Sequence, residues 1–355
     1  MVRALSAHAQ CTALYLLKTV SEGFFCLTGD IGCFQKFGPL FQTMGLWDVC
    51  VGGQIEEVRA ALEKGEDIND TNSKNQTVLM FTATKCDDEK YVSILKLLLE
   101  QPSLKVNLAE TTGGMTALHI ASNSRNIEAV KVLSANPRVD VNIKDSLNET
   151  PLMASTRSEP GRIDIFKLLL AEPRVEVNCT LPHPDIGDMT PLMLAALHVN
   201  VEATKLLLAD PRVEVNWLNS RGMGALHVAV SAIQKSDVKL IKLFLANPRV
   251  DVNVKDCATH GRTVLHDAAY SNNVEAVKLI LEEARFTSAN VVDEHWGRRG
   301  RAGTHKGNAF LGSFTAVSVA VVRSNFNVLK ELVHHPSIDL DSKDKDGRGI
   351  DDLVR

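Results

Sequence analysis

Thr116-Ala-Leu-His-Ile-Ala121 returns along the chain as Thr77-Val-Leu-Met-Phe-Thr82, Thr150-Pro-Leu-Met-Ala-Ser155, Thr190-Pro-Leu-Met-Leu-Ala195, Gly224-Ala-Leu-His-Val-Ala229, Thr263-Val-Leu-His-Asp-Ala268 and Thr315-Ala-Val-Ser-Val-Ala320. The openings lie 39, 34, 40, 34, 39 and 52 residues apart. Repetition at that period predicts a stack of small units rather than the two or three globular domains that 355 residues would otherwise suggest.

Each part of the motif has a local task. A threonine hydroxyl caps a helix, and Pro151 and Pro191 suit a first helical turn, where the missing N–H is no loss. About a dozen residues on, a second apolar-periodic run follows, as in Ile127-Glu-Ala-Val-Lys-Val-Leu133, Val201 to Leu208 and Val274 to Leu281. These second helices should stop before Pro102, Pro137, Pro173, Pro211, Pro248 and Pro336. Central leucines such as Leu206 are expected in their core, where truncation to Ala costs roughly 2 to 5 kcal/mol.

After the prolines, Arg138 to Asn142 and Arg249 to Asn253 read Arg-Val-Asp-Val-Asn, while Arg174 to Asn178 and Arg212 to Asn216 carry Glu for Asp. Alternating valines predict a short β-like arm, with a polar tip such as Lys144-Asp-Ser-Leu-Asn148 turning back to the next threonine.

With helix, helix and hairpin in hand, the chain resembles the ankyrin-repeat family, whose unit is about 33 residues opening T-P-L-H-x-A. The resemblance covers roughly residues 45 to 355 and implies an all-α ankyrin-repeat solenoid, right-handed, of about eight helix-turn-helix units with β-hairpin arms. Units start near 45, 77, 116, 150, 190, 224, 263 and 315. Leu46 to Leu62 reads as a first repeat with a polar outer face, an N-terminal cap, and Gly349-Ile-Asp-Asp-Leu353 opens a further copy. Extra residues between the two helices, at Cys86 to Val92, Ser158 to Arg162 and Lys235 to Asp237, are expected to project as loops. Residues 1–44 carry no repeat and read as a disordered or loosely packed extension.

Composition narrows the function. A net charge of -4 and 5% aromatic residues give no footprint for wrapping DNA and little stacking surface for single strands. The seven cysteines are odd in number and never paired as C-x-x-C, which fits free thiols in a reducing compartment and predicts cytoplasmic, or also nuclear, placement. The N-x-[ST] matches at Asn69, Asn75, Asn148 and Asn178 would count only in a secreted chain. No signature of a phosphate-binding loop, zinc protease, serine hydrolase or kinase occurs, and the segment before residue 45 is too short for an enzyme. The chain is expected to be no enzyme and to need no cofactor or metal.

His119, His227 and His266 share the fourth motif position, one repeat apart, so they do not converge on one ion and read as groups knitting adjacent turns. The resemblance implies non-catalytic binding of another protein in the groove of hairpin tips and first helices. Carried onto this sequence, its variable contact positions are Leu147, Glu149, Arg157, Ser158, Leu197, His198, Arg221, Met223, His260, Arg262, Tyr270 and Ser271. Trp217 joins them because a small residue usually stands there. The rival site is the basic, glycine-rich arm 295–307 within the insertion 284–313, where Arg298, Arg299, Arg301 and Lys306 could hold a nucleic acid, a phosphoinositide or another acidic ligand, unless the segment is simply a solvated hairpin.

Overall fold

The computed structural model describes residues 45–157, 162–184, 186–231, 238–255, 261–291, 293–296 and 312–343. The N-terminal extension 1–44, the copy opening at Gly349 and the loop at Lys235 to Asp237 lie outside them.

The described residues 45–66 belong to one unit. Its helices α1 (Leu46–Gly52) and α2 (Ile55–Glu63) pack on each other around Leu46, Val49, Cys50 and Val58. Glu66 accepts a hydrogen bond from the Leu46 N–H at the start of α1.

The second unit begins at Asp67. Its first helices are α3 (Val78–Lys85), α5 (Ala117–Asn123), α7 (Pro151–Ala154), α9 (Pro191–Leu197), α11 (Ala225–Ser231), α13 (Val264–Tyr270) and α15 (Ala316–Val322). Its second helices are α4 (Glu89–Glu100), α6 (Ile127–Ala135), α8 (Arg162–Ala171), α10 (Val201–Ala209), α12 (Val238–Ala246), α14 (Val274–Glu282) and α16 (Phe326–His334). Each first helix packs on the next first helix and each second helix on the next second helix, so the unit has two helical layers. That is the stacked helix-pair fold the repeat predicts, all-α among the described residues but for one two-stranded sheet.

The threonines do start helices. Thr77, Thr150, Thr190 and Thr315 each accept the backbone N–H three residues on, and the second helices end two residues before their prolines. Between the layers, Leu98, Leu133, Leu169, Leu207, Phe244, Ile280 and Leu332 are fully buried at one shared position. Leu206 is a correction: it is half-buried, because the helix turns the neighbouring Leu207 to the core.

Two other expectations change. The Cys86 to Val92 segment is a three-residue link and then helix, since α4 starts at Glu89 and runs 12 residues where most second helices run nine. Asp88 caps that added turn by accepting from the Lys90 N–H.

Nor do the Arg-Val-Asp-Val-Asn arms form strands; they are consecutive turns. Their alternating valines, Val139 and Val141 through Val250 and Val252, are buried, so the pattern records burial and not a β-ladder. The hairpins reduce to isolated bridges, Thr71 with Thr77, Ala109 with Thr116 and Leu181 with Met189. Among the described residues, strands pair only within the basic insertion: β1 (Asp293–Trp296) runs antiparallel to β2 (Gly312–Phe314), with Asp293 opposite Phe314 and Trp296 opposite Gly312.

Side chains tie the arms together instead. Asn107, Asn142, Asn178, Asn216 and Asn253 each donate through Nδ2 to a carbonyl of the next arm, at 2.6 to 3.0 Å. Each also accepts, through Oδ1, the N–H two residues further on in that arm. Beside this ladder runs a second one: Arg138, Arg174, Arg212, Arg249 and Arg285 point their guanidinium groups at the end of the preceding second helix, as when Arg138 donates to Leu99 O, Gln101 O and Pro102 O. A charged donor there satisfies carbonyls that the helix leaves unpaired and opposes its negative end.

Candidate functional site

The motif histidines are part of the scaffold. His119 Nδ1 receives the Thr116 N–H at 3.3 Å, and its Nε2 lies 3.1 Å from Glu149 O in the next repeat, so the ring carries its proton on Nε2 and links two units. Burial holds its pKa below the ordinary histidine value, keeping the ring neutral. His266 closes the same capping box with Thr263. Gly224, which has no hydroxyl, still donates its N–H to His227 Nδ1 at 3.3 Å.

The tips between the arms and the first helices stack on one another. Ser146 N–H donates to Gly113 O at 2.9 Å, Asn219 Nδ2 to Ile186 O at 2.7 Å, and Arg221 Nη2 to Pro184 O at 3.1 Å. Gly114 is needed for this approach: at φ +66° it faces the Ser146 nitrogen, which an added Cβ would meet at 2.9 Å. Leu147 stands out from its tip, 64% exposed.

The proposed contact residues separate into groups. Glu149, just before the Thr150 cap, is buried and receives two hydrogen bonds from Arg157 Nη2, at 2.9 and 2.8 Å. Thr156 lies 3.2 Å from His198 of the following unit, next to half-buried Leu197. Arg221 and Met223 belong to one tip, where Asn219 Oδ1 accepts both their N–H groups at 2.9 Å. Trp217 sits apart from these, lining a shallow cavity with Arg212, Glu214, Asn216 and Arg249 on the ladder edge.

Arg262, Tyr270 and Ser271 come together around α13. Arg262 pairs with Asp267 at 2.6 Å, and its guanidinium carbon lies 5.6 Å from the Tyr270 ring centre. From the end of α15, Arg323 covers the same ring at 4.4 Å. Sequence reading missed Arg323 and Asp267; a carboxylate at a motif position that carries no charge in any other copy was the available signal. Ser158, His260, Arg298, Arg299, Arg301 and Lys306 lie outside the described residues.

Among the described residues, no group of three or more His, Cys, Asp or Glu is placed to hold a metal, and no helix is long and apolar enough to cross a membrane. Cys50 and Cys86 are free thiols that burial pushes up to about 12.

The family model for ankyrin repeats (three copies) matches residues 46–145, 86–181, 177–256 and 231–346, so the chain belongs to the ankyrin-repeat family. None of the curated proteins matches it. Ankyrin repeats are in general protein–protein interaction modules.

Proposed function

We propose that the chain is a non-catalytic interaction module or adaptor that binds another protein along the face made by its stacked tips and the ends of its first helices. One observation carries this reading. The capping threonines, the core leucines and the asparagine ladder repeat almost unchanged, whereas the residue before each cap varies through Gln76, Met115, Glu149, Met189, Met223, Arg262 and Phe314. Residues at or just beyond the ends of the first helices vary as widely, among them Asn123, Arg157, Leu197 and Tyr270. Met189 and Glu149 are buried, but Gln76, Met115, Met223 and Arg262 are partly exposed, and partly exposed positions that folding leaves free to vary are where a binding protein differentiates. Buried free thiols accord with a cytoplasmic or nuclear setting.

A pull-down with mass spectrometry identifies the partner, and substitution then locates its site. His198→Glu with Arg221→Glu should abolish capture while leaving the helical circular dichroism intact. A second reading is binding of a nucleic acid, a phosphoinositide or another acidic ligand by the basic segment 295–307, which lies in sequence between the ends of the antiparallel β1–β2 pair. If capture survives that double substitution but is lost when Arg298, Arg299 and Arg301 are neutralised, the arm is the binding site, and binding should then weaken steeply with salt.

A further inference from the structure

We propose that the outer face of α16 is a self-association surface, on which a second copy of this chain packs its own α16 antiparallel across a two-fold axis. This self-association is additional to the partner binding proposed above and belongs to the last described unit.

Two side chains that the stack buries elsewhere lie open here. Val333 stands at the position of Leu99, Ser134, Leu170, Leu208 and Leu245, which are buried in their units, and Leu340 stands at the position of Val141, Val177, Val215 and Val252, likewise buried. In this unit Val333 is 42% exposed and Leu340 40%. Phe326, which opens the helix, is 76% exposed, the most of any large apolar side chain among the described residues. Apolar side chains gathered on one face and left in water mark a surface that another body covers.

Spacing indicates what covers it. Phe326, half-buried Leu329 and Val333 recur at three and four residues, so they form one stripe along α16, whereas Val328 and Leu332 are buried on its other side. A stripe at that spacing is the seam by which one helix packs on another. Both of its ends are apolar, and its midpoint falls between Leu329 and Lys330. A two-fold axis through that midpoint sets Phe326 of each copy against Val333 of the other, so the face is complementary to itself.

Charge favours the same orientation. Exposed Arg323 precedes the stripe, and exposed Asp339 and Asp341 follow it. Antiparallel pairing brings the basic end of each copy to the acidic end of the other, where parallel pairing would set like charges together. Exposed Lys330, beside the axis, carries its charge into water on a long stem.

The test is sedimentation velocity on the full chain over a series of concentrations. The wild type should show a monomer–dimer equilibrium. Phe326→Asp should weaken the dimer about ten-fold and leave the helical circular dichroism unchanged, because that side chain is exposed in the single chain. Arg323→Glu and Asp341→Arg should each weaken it by less, and the two together should recover it, since the reversed charges meet again across the axis. A wild type that stays monomeric or forms open-ended assemblies, a Phe326→Asp variant that dimerises like the wild type, or charge reversals that fail to recover together each overturn the proposal. So does dimerisation that appears only after removal of residues 344–355, which lie outside the described residues, because the chain itself would then cover the face.

Discussion

The two edges of the repeat stack follow opposite rules. On the arm edge the same asparagine makes the same two bonds from one unit to the next, and arginines at 138, 174, 212, 249 and 285 cover the preceding helix ends. On the tip and first-helix edge the units differ: an acid–base pair at Glu149 and Arg157, its reverse at Arg262 and Asp267, a methionine before the cap at 115, 189 and 223, and Gln76 or Phe314 in the others. Where a bond repeats, it couples neighbours and stability accumulates along the stack. Where residues differ, the variation falls on the face proposed above to bind a partner.

The largest effect is expected at the shared core. Leu207→Ala should lower unfolding free energy by about 2 to 5 kcal/mol, measured by denaturant titration, whereas Leu206→Ala, one residue away and half-buried, should cost clearly less. Equal losses would mean that the layer assignment is wrong.

On the ladder edge, Asn178→Ala removes a donor to Arg212 O and an acceptor for the Glu214 N–H. A loss of about 1 to 2 kcal/mol is expected, and Arg212→Ala should fall in the same range. If such substitutions are silent while tip substitutions unfold the chain, the division between the edges fails.

His119 sharpens the picture through pH. Its folded pKa lies below the ordinary value, so the folded state favours the neutral ring. The stability it contributes is therefore present above about pH 6.5 and is lost as pH falls from there toward the folded value. The acid-side decline in melting temperature should be shallower in His119→Gln than in the wild type.

Val199 offers the smallest effect, and one of opposite sign. It joins α9 to α10 at φ +53°, a left-handed conformation that a β-branched side chain resists. Val199→Gly should raise stability by about 1 kcal/mol, and a lower melting temperature would contradict that reading.

Much of the scaffold was legible because its signals are local. A threonine three residues before the N–H it caps, a proline two residues beyond a helix, and leucines at helical spacing each act within one turn. The arms misled because alternating valines look the same whether a strand or a pair of turns buries them. What hinted at a ladder of side chains was the recurrence of asparagine at the end of each arm, at Asn107, Asn142, Asn178, Asn216 and Asn253.

The candidate site was legible in part. Arg262 and Tyr270 fall at positions that the resemblance marks as variable, but Arg323 lies 53 residues beyond Tyr270 in sequence, across the 52-residue spacing that separates the last two motif copies. Its place over the Tyr270 ring follows from the packing of α13 on α15, which no local pattern states.

If stability resides on the arm edge and recognition on the tip and first-helix edge, a paired measurement separates them. Melting temperature and partner capture are measured together for Asn142→Ala with Asn178→Ala on the arm edge, and for His198→Glu with Arg221→Glu on the tip and first-helix edge. The asparagine pair should lower the melting temperature and keep capture at temperatures where the chain is folded, while the second pair should abolish capture with little change in melting temperature. Loss of capture by the folded asparagine variant, together with full capture by the other, would contradict that separation.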